Sequence, residues 1–312
     1  MNILVTGGAG YVGSVLVQML LKAGHKVRVL DSLRKGGLCL LALFADRNLE
    51  FVRGDIRDEE TVKKALQDMD VIIHLAAIVG FPACQKDPWL ARQINVDGTL
   101  NIDRLRHKDQ TILFPSSLSN YGTVVGEVCT EEMTPKPITL YGETKIQAEQ
   151  HLLASGNVII FRPATAFGLS SQMRLDLLLN YSVFTALKER FLVVYEPHFN
   201  RAFIHVRDFA RAFLFALENG SKMKDQIYNL GDESLNLTKG ELAERIRKKI
   251  DFVLEFSDKG EDPDKRNYIV DFSKLHKAGF KAKISIDEGI EELARGLQVI
   301  DIKNPFSNTT FL

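Results

Sequence analysis

The stretch Thr6-Gly-Gly-Ala-Gly-Tyr-Val-Gly13 decides the fold of this chain. A short apolar run from Asn2 to Thr6 precedes it and has the composition of a buried strand. From Val12 to Ala23 apolar residues recur at helical spacing, and Gly24 ends that pattern. The regularly spaced glycines permit a tight turn and let the backbone approach a pyrophosphate closely. The stretch therefore predicts a strand, a turn and a helix whose N-terminus binds a dinucleotide.

The next candidate strand, Lys26 to Asp31, ends in an acidic residue about twenty positions after the glycines. A carboxylate there can hydrogen-bond the ribose hydroxyls of adenosine and repels a 2′-phosphate, which favours NAD as the cofactor. Arg34 follows closely and could hold that phosphate, so NADP remains an alternative at this point.

Strand and helix patterns alternate through the first half of the chain. The candidate strands are Asn2 to Thr6, Lys26 to Asp31, Leu49 to Arg53, Val71 to Leu75, Thr111 to Pro115 and Val158 to Arg162. Such alternation is typical of βαβ units, so we expect an α/β fold with a doubly wound parallel sheet of the Rossmann type.

Beyond Pro163 the pattern is irregular, with helical stretches near 175–190, 208–218 and 239–250. We expect residues 1–165 to form the NAD-binding domain and a segment near 203–228 to pack back on it. Residues 166–312 should form a smaller substrate-binding lobe at the carboxyl ends of the strands, where open α/β sheets bind ligands.

Composition narrows the class of protein. The 312 residues are 45% hydrophobic and 26% charged, enough for one large core and a smaller lobe. The 40 basic and 40 acidic residues cancel, which favours neither nucleic acid nor an anionic membrane as a partner. Cys39, Cys84 and Cys129 lack metal-ligand spacing, so we expect free thiols and no metal. With no long apolar run and no leader pattern, we expect a cytoplasmic protein.

A second motif, Tyr141-Gly-Glu-Thr-Lys145, carries the candidate chemistry. On a helix, Tyr141 and Lys145 share a face and their side chains can meet. An unperturbed tyrosine has a pKa of about 10, and a nearby ammonium favours the phenolate. Tyr141 could then exchange a proton with an alcohol as hydride moves to or from nicotinamide. Ser117 follows the fifth strand and can hydrogen-bond the same oxygen.

Other strand ends should line the cofactor. Asp55 can accept a hydrogen bond from the adenine amino group while Ile56 packs on the ring. The small residues of Leu75-Ala-Ala77 let the backbone approach the cofactor, as glycines do.

Together these motifs resemble the extended short-chain dehydrogenase/reductases, in particular their sugar-nucleotide epimerase/dehydratase branch. The resemblance covers nearly the whole chain, through TGGAGYVG, GDIRD, HLAA, NVDGT, SSLSNYG, YGETK, RPATAFG, RAFIHVRD and DFSKLHKAGF. It implies that Ser117, Tyr141 and Lys145 form the catalytic triad and that Lys145 also holds the nicotinamide ribose. It also implies that Asn95 orders the site and that Pro163 lies by the carboxamide.

The resemblance further implies a homodimer whose interface is built from the helices after Trp89 and around Tyr141 to Leu153. The residues predicted to contact NAD are Gly7, Gly10, Tyr11, Val12, Gly13, Asp31, Ser32, Arg34, Asp55, Ile56, Leu75, Ala76, Ala77, Val79, Asn95, Ser116, Tyr141, Lys145 and Pro163. Those predicted to contact the substrate are Gly80, Ser117, Ser119, Asn120, Thr165, Arg174, Asn180, Arg201 and Arg266.

Two departures from the family pattern reduce the number of reactions that the enzyme could catalyse. Members that eliminate water carry an Asp-Glu pair directly after the catalytic Ser or Thr, where this chain has Leu118 and Ser119. Members of the 3,5-epimerase/reductase type use a cysteine and a histidine near the substrate. In this chain the serine loop, residues 116–122, contains no cysteine, and Cys84 lies in a different loop. The remaining chemistry needs only hydride and one proton: C4 epimerisation through a 4-keto intermediate, or net oxidation or reduction of a sugar carbon.

Arg201 and Arg266 fall where the family places arginines on the substrate diphosphate, and guanidinium groups suit phosphate oxygens. The resemblance therefore implies a nucleotide-diphosphate sugar as the substrate, with GDP- or CDP-linked hexoses or heptoses for polysaccharide biosynthesis among the options.

Two other hypotheses stay open. An oxidoreductase of a non-nucleotide alcohol would leave both arginines without a diphosphate, and a cofactor sensor would be expected to lose the catalytic triad.

Overall fold

The computed structural model describes residues 1–257, 259 and 265–302. Its strands are β1 Asn2–Thr6, β2 Lys26–Asp31, β3 Leu49–Arg53, β4 Val71–His74, β5 Thr111–Pro115, β6 Thr123–Cys129, β7 Val158–Pro163, β8 Thr165–Phe167, β9 Phe191–Tyr195, β10 Asn200–His205, β11 Gln226–Leu230, β12 Asn236–Thr238, β13 Val253–Ser257 and β14 Asn267–Val270. Its helices are α1 Tyr11–Lys22, α2 Glu59–Leu66, α3 Phe81–Lys86, α4 Pro88–Arg92, α5 Gly98–Leu105, α6 Leu140–Ser155, α7 Leu178–Lys188, α8 Val206–Met223, α9 Lys239–Arg247, α10 Ser273–Ala278 and α11 Ile286–Val299.

A parallel sheet in the order β11-β7-β5-β4-β1-β2-β3 forms the centre of the fold. The strand order reverses between β1 and β4, and open α/β sheets bind ligands in the crevice at such a point. The predicted doubly wound Rossmann fold is therefore confirmed. The predicted strands are all present, although β4 ends one residue early at His74 and β7 extends to Pro163.

Side-chain alternation in the strands explains why helices cover both faces of this sheet. Ile3 and Val5 of β1 belong to one hydrophobic cluster, which α1 and α8 complete, while Leu4 belongs to another. That second cluster includes residues of α2, α5 and α6. Because successive strand residues point to opposite faces, one apolar run buries residues on both sides.

A third hydrophobic cluster lies in the second half of the chain. It joins α7, α9 and α11 to the small sheet β12-β10-β8, with Phe167, Phe203 and Ile290 among its fully buried members. The helical stretches predicted there correspond to α7, α8 and α9. Within the segment near 203–228 expected to pack back on the first domain, α8 packs against α1, and β11, which follows α8, pairs with β7 at the edge of the central sheet.

Two glycines explain how α1 reaches the crevice. Gly7 has φ +72°, and a Cβ there would lie 2.7 Å from the backbone nitrogen of Ala76. A Cβ on Gly13 would lie 2.4 Å from the carbonyl oxygen of Gly7. Side chains at either position would push the turn away from the loop after β4, which accounts for the glycine spacing.

In the described part of the chain, none of the helices is both long enough and apolar enough to span a membrane. Cys39, Cys84 and Cys129 are free thiols, and the last two are buried. Asp232, Glu233 and His276 lie together outside the sheet, where the two ring nitrogens of His276 face separate carboxylates at 3.3 and 3.2 Å. This arrangement ties α10 to the turn after β11.

Candidate active site

A cavity of about 1430 Å³ opens at the carboxyl ends of the parallel strands and extends towards the second half of the chain. All residues predicted to contact NAD or the substrate line it, except Asn95, Asn120, Asn180 and Arg201. Residues that are far apart in sequence thus meet around one space. Ligand pockets for small molecules typically measure about 300–1,000 Å³, so this cavity is large enough to suit two ligands side by side.

The part of the cavity where the cofactor is expected to bind, here called the cofactor half, is built around the glycine turn at residues 7–13. Helix α1 begins after Gly10 with no side-chain cap, and its first residues line the cavity. Asp31 accepts hydrogen bonds from the backbone N–H groups of Ala9 (3.0 Å) and Leu33 (2.8 Å), which fastens the turn to the end of β2. Burial raises the pKa of Asp31, while these N–H groups act in the opposite direction. The uncapped helix end and the space left by absent Cβ atoms fit a dinucleotide pyrophosphate.

Ser117 and Tyr141 both line the cavity. Ser117 follows β5 and opens a 3₁₀ turn at Leu118–Tyr121, whereas Tyr141 lies in the first turn of α6. The Ser117 hydroxyl lowers the pKa of Tyr141. Thr139 caps α6 by accepting a hydrogen bond from the Gly142 N–H, so the helix start that carries Tyr141 is well defined.

Lys145 lies one turn further along α6. It is only 3% exposed, and its Nζ lies 3.9 Å from the centroid of the Phe114 ring. Burial lowers the pKa of Lys145 to about 7, while the Glu149 carboxylate raises it. Burial therefore favours the neutral amine of Lys145, and Glu149 favours the ammonium.

The pKa of Tyr141 corrects one expectation drawn from the sequence. A lowered pKa was predicted from the neighbouring ammonium, but burial raises the Tyr141 pKa to about 12. Arg174, the Ser117 hydroxyl and Arg266 lower it less than burial raises it. The physical reason is that desolvation of a buried phenolate outweighs the attraction of nearby cations.

The two positions after Ser117 do not supply an acid and a base. Leu118 is buried in the hydrophobic cluster beneath the sheet and does not line the cavity. Ser119 does line it, and its hydroxyl donates to the Ser117 Oγ at 2.7 Å. Neither side chain can carry a proton as the acidic pair of a dehydratase does.

A buried polar network supports α6 from behind. The Arg162 guanidinium pairs with the Glu149 carboxylate at 2.6 Å and donates to the Tyr121 hydroxyl at 2.9 Å. Asn120, predicted to contact substrate, is fully buried here and donates to Glu149 (3.3 Å) and to Ser116 (2.9 Å). Asn120 therefore lies in this supporting network and does not line the cavity.

Asn95 and Asn180 also act from behind the lining. Asn95 makes a double hydrogen bond with the backbone of Ile78 at 2.8 and 2.9 Å and donates to Thr144 on α6 at 3.1 Å. It thereby joins the loop after β4 to α6. Asn180 instead donates to the Tyr11 hydroxyl at 3.2 Å, and Tyr11 donates to the carbonyl of Gly168 at 2.7 Å.

Arg201 is the fourth predicted contact that lies behind the lining. It is 2% exposed, and its guanidinium donates to the carbonyl oxygens of Asn200 and Arg266. Arg266 itself lines the cavity. Arg201 therefore supports the backbone of the neighbouring arginine.

Sequence reasoning missed several residues that line the cavity. Lys35 could have been found from its position beside Arg34, and Arg207 from its place in the RAFIHVRD motif. Tyr268, Leu297 and residues beyond α11 carried no such signal, because folding brings them to the cavity from distant parts of the chain.

The chain belongs to the NAD dependent epimerase/dehydratase family, whose sequence model matches residues 3–231. It is therefore an NAD-dependent enzyme of the extended short-chain dehydrogenase/reductase type. It is 30% identical to a UDP-glucose 4-epimerase of Corynebacterium glutamicum over 74% of this chain and 75% of that protein. It is also 30% identical to a dTDP-glucose 4,6-dehydratase of Streptomyces niveus, over 94% and 91%. The solved UDP-glucose 4-epimerase of Thermus thermophilus, in complex with NAD, superposes with a TM-score of 0.81 at 25% identity, covering 96% of this chain and 99% of that chain.

The buried ammonium of Lys145 should make stability depend on pH. Its pKa falls from 10.5 when unfolded to about 7 when folded. Between these values the unfolded chain binds a proton that the folded protein lacks, so the free energy of unfolding rises with pH by about 1.4 kcal/mol per unit. From about pH 7 to about pH 9 we expect roughly 2 kcal/mol from this residue. Urea unfolding of the protein without NAD should show this rise in the wild type beyond that in Lys145→Met. Equal pH dependence in the two proteins would contradict the assignment.

Proposed function

We propose that this enzyme is a nucleotide-sugar epimerase that acts at C4 through a 4-keto intermediate. One observation carries the proposal: Ser117, Tyr141 and Lys145 line a single cavity together with the glycine turn and Arg266. In this proposal residues 1–165 bind NAD, and residues 166–312 bind the nucleotide sugar. The hydrophobic Leu118 and the hydrogen-bonded Ser119 favour epimerisation over dehydration.

Each member of the triad has a distinct role in the proposed reaction. NAD, when bound, supplies the hydride acceptor and a positive charge close to the reacting carbon. Tyr141 accepts the proton of the sugar hydroxyl as the C4–H bond breaks and returns it when hydride comes back to the opposite face. Ser117 hydrogen-bonds the reacting oxygen, and Lys145 holds the nicotinamide ribose. Return of hydride to the same molecule gives an epimer, whereas release of the keto sugar would give a dehydrogenase.

The relatives named above include UDP-glucose 4-epimerases, which favours a UDP-sugar over the GDP- or CDP-linked alternatives. The proposal also accounts for Asp31, whose carboxylate faces the same cavity and suits the ribose hydroxyls of NAD.

Turnover of nucleotide sugars tests the proposal directly. Purified enzyme should convert one member of a panel of UDP-, GDP-, CDP- and dTDP-sugars into its C4 epimer, identified by NMR, without lasting NADH absorbance. Tyr141→Phe should lower kcat by about 10²–10⁴-fold, the usual contribution of a general acid or base, while NAD binding is retained. NADH that accumulates with a keto sugar would identify a dehydrogenase instead. No turnover of any nucleotide sugar would contradict the proposal and favour a non-nucleotide alcohol.

Arg266 tests whether the substrate carries a diphosphate. Arg266→Ala should raise KM for the nucleotide sugar by about tenfold or more, since hydrogen bonds between charged groups contribute about 1.5–3 kcal/mol. The effect on kcat should be smaller, because the diphosphate is remote from C4. Arg190→Ala is a matched control, since Arg190 pairs with Asp251 at the surface. Unchanged KM in Arg266→Ala would favour the non-nucleotide alternative.

We further propose a cytoplasmic homodimer, assembled through α4, α5 and α6, that serves polysaccharide biosynthesis. The dimer and the biosynthetic role rest on the family resemblance. In support of the interface, Trp89 of α4 is 70% exposed, and an Arg92–Glu143 ion pair joins α4 to α6. The free thiols suit a reducing compartment.

Sedimentation of the purified protein should give a dimer that Trp89→Glu weakens. A monomeric wild type would refute the proposed dimer.

A further inference from the structure

The hydroxyl of Ser117 is held in an unusual hydrogen-bonding state. Its oxygen accepts from the Ser119 hydroxyl at 2.7 Å and from the Ser119 backbone N–H at 3.1 Å. A serine oxygen has two acceptor positions and one proton to donate. Ser119 therefore occupies both acceptor positions of Ser117 and leaves only its proton for a third partner.

The third partner is one of the two oxygens between which the proton moves in the proposed reaction: the Tyr141 oxygen or the oxygen of the substrate hydroxyl. Ser117 and Tyr141 line the same cavity, and the Ser117 hydroxyl lowers the pKa of Tyr141. Because the acceptor positions of Ser117 are filled, it can only donate to an oxygen placed beside it there. A donor stabilises a phenolate or a developing alkoxide, whereas an acceptor would stabilise the neutral phenol. The direction of this single hydrogen bond thus decides which form of Tyr141 is favoured.

We propose that Ser119 is a positioning residue that fixes Ser117 as an obligate donor to the reacting oxygens. The inference rests on the proposed function, in which Tyr141 takes the proton from the sugar hydroxyl. In that step the O–H bond breaks and the proton goes to the Tyr141 oxygen, while the electron pair of the C4–H bond leaves as hydride to NAD. Ser117 keeps its own proton throughout and moves only its hydrogen bond, from Tyr141 to the new carbonyl oxygen.

The surroundings of Ser119 limit it to this role. Its side chain is 2% exposed, and its hydroxyl proton is committed to Ser117. A hydrogen bond to a charged group is worth more than one between neutral groups, so loss of the Ser119 hydroxyl should affect the charged state of Tyr141 most. Without that hydroxyl, Ser117 regains a free acceptor position and can accept the Tyr141 proton, which weakens the base.

A matched pair of substitutions tests the inference. Ser119→Thr keeps the hydroxyl, whereas Ser119→Val replaces it with a methyl group at nearly the same volume. We expect Val to raise the ionisation midpoint of Tyr141 by about one pH unit and to lower kcat about tenfold near neutral pH. The pH profile of kcat in the Val variant should be displaced by about one unit towards higher pH, and the Thr variant should resemble the wild type. Ser119→Ala replaces Val if the branched variants do not fold.

Two readouts separate this inference from the proposed function. Ultraviolet difference titration of tyrosinate in the NAD-bound protein, referenced to Tyr141→Phe, measures the midpoint without any substrate. The pH profile of kcat on nucleotide sugars measures its effect on turnover. If the wild type converts none of these sugars, the proposed function fails while the titration still decides the role of Ser119.

The remaining outcomes are also decisive. An unchanged midpoint in the Val variant, or an equal loss of kcat at every pH in both the Val and Thr variants, would overturn the inference. Ser182→Ala is the control for loss of a buried hydroxyl, because Ser182 donates to the carbonyl of Leu178 on α7 and lies outside the cavity. Its midpoint and pH profile should match those of the wild type.

Discussion

The close approach of the glycine turn to the loop after β4 is the constraint on which the rest of the structure depends. Gly7 lies so near Ala76 that any Cβ would collide with its backbone, and Gly13 lies equally close to the turn itself. This contact directs the N-terminus of α1 into the crevice where the strand order reverses. The cofactor half of the cavity follows from this contact.

Burial dominates the electrostatics of the catalytic centre. It raises the pKa of Tyr141 and lowers that of Lys145, so each residue is pushed towards its neutral form. The protein counters this with groups that favour charge: the Ser117 hydroxyl beside Tyr141 and the Glu149 carboxylate beside Lys145. The Glu149–Arg162 ion pair is itself buried, and removal of either partner would leave an uncompensated charge. The polar network behind α6 thus holds in place the carboxylate that raises the pKa of Lys145.

The sequence predicted most of the central sheet, because its strands are apolar runs separated by turn residues and helical patterns. It did not identify β11. Gln226–Leu230 is short, and three other strands and two helices lie between it and β7 in the sequence. It also grouped Asn120 and Arg201 with residues that contact ligands. Both lie on motifs beside the site, and motif position does not report which way a side chain points.

What the sequence by itself determined is the set of local periodicities and spacings: the glycine turn, the Tyr141–Lys145 helix face and the serine loop after β5. These are readable because backbone hydrogen bonding repeats over a few residues. Only the tertiary structure decided the sign of the Tyr141 pKa shift, the supporting position of Asn120, and the two hydrogen bonds that the Ser117 oxygen accepts from Ser119. Those properties depend on desolvation and on partners brought together from distant segments, and neither is encoded in local spacing.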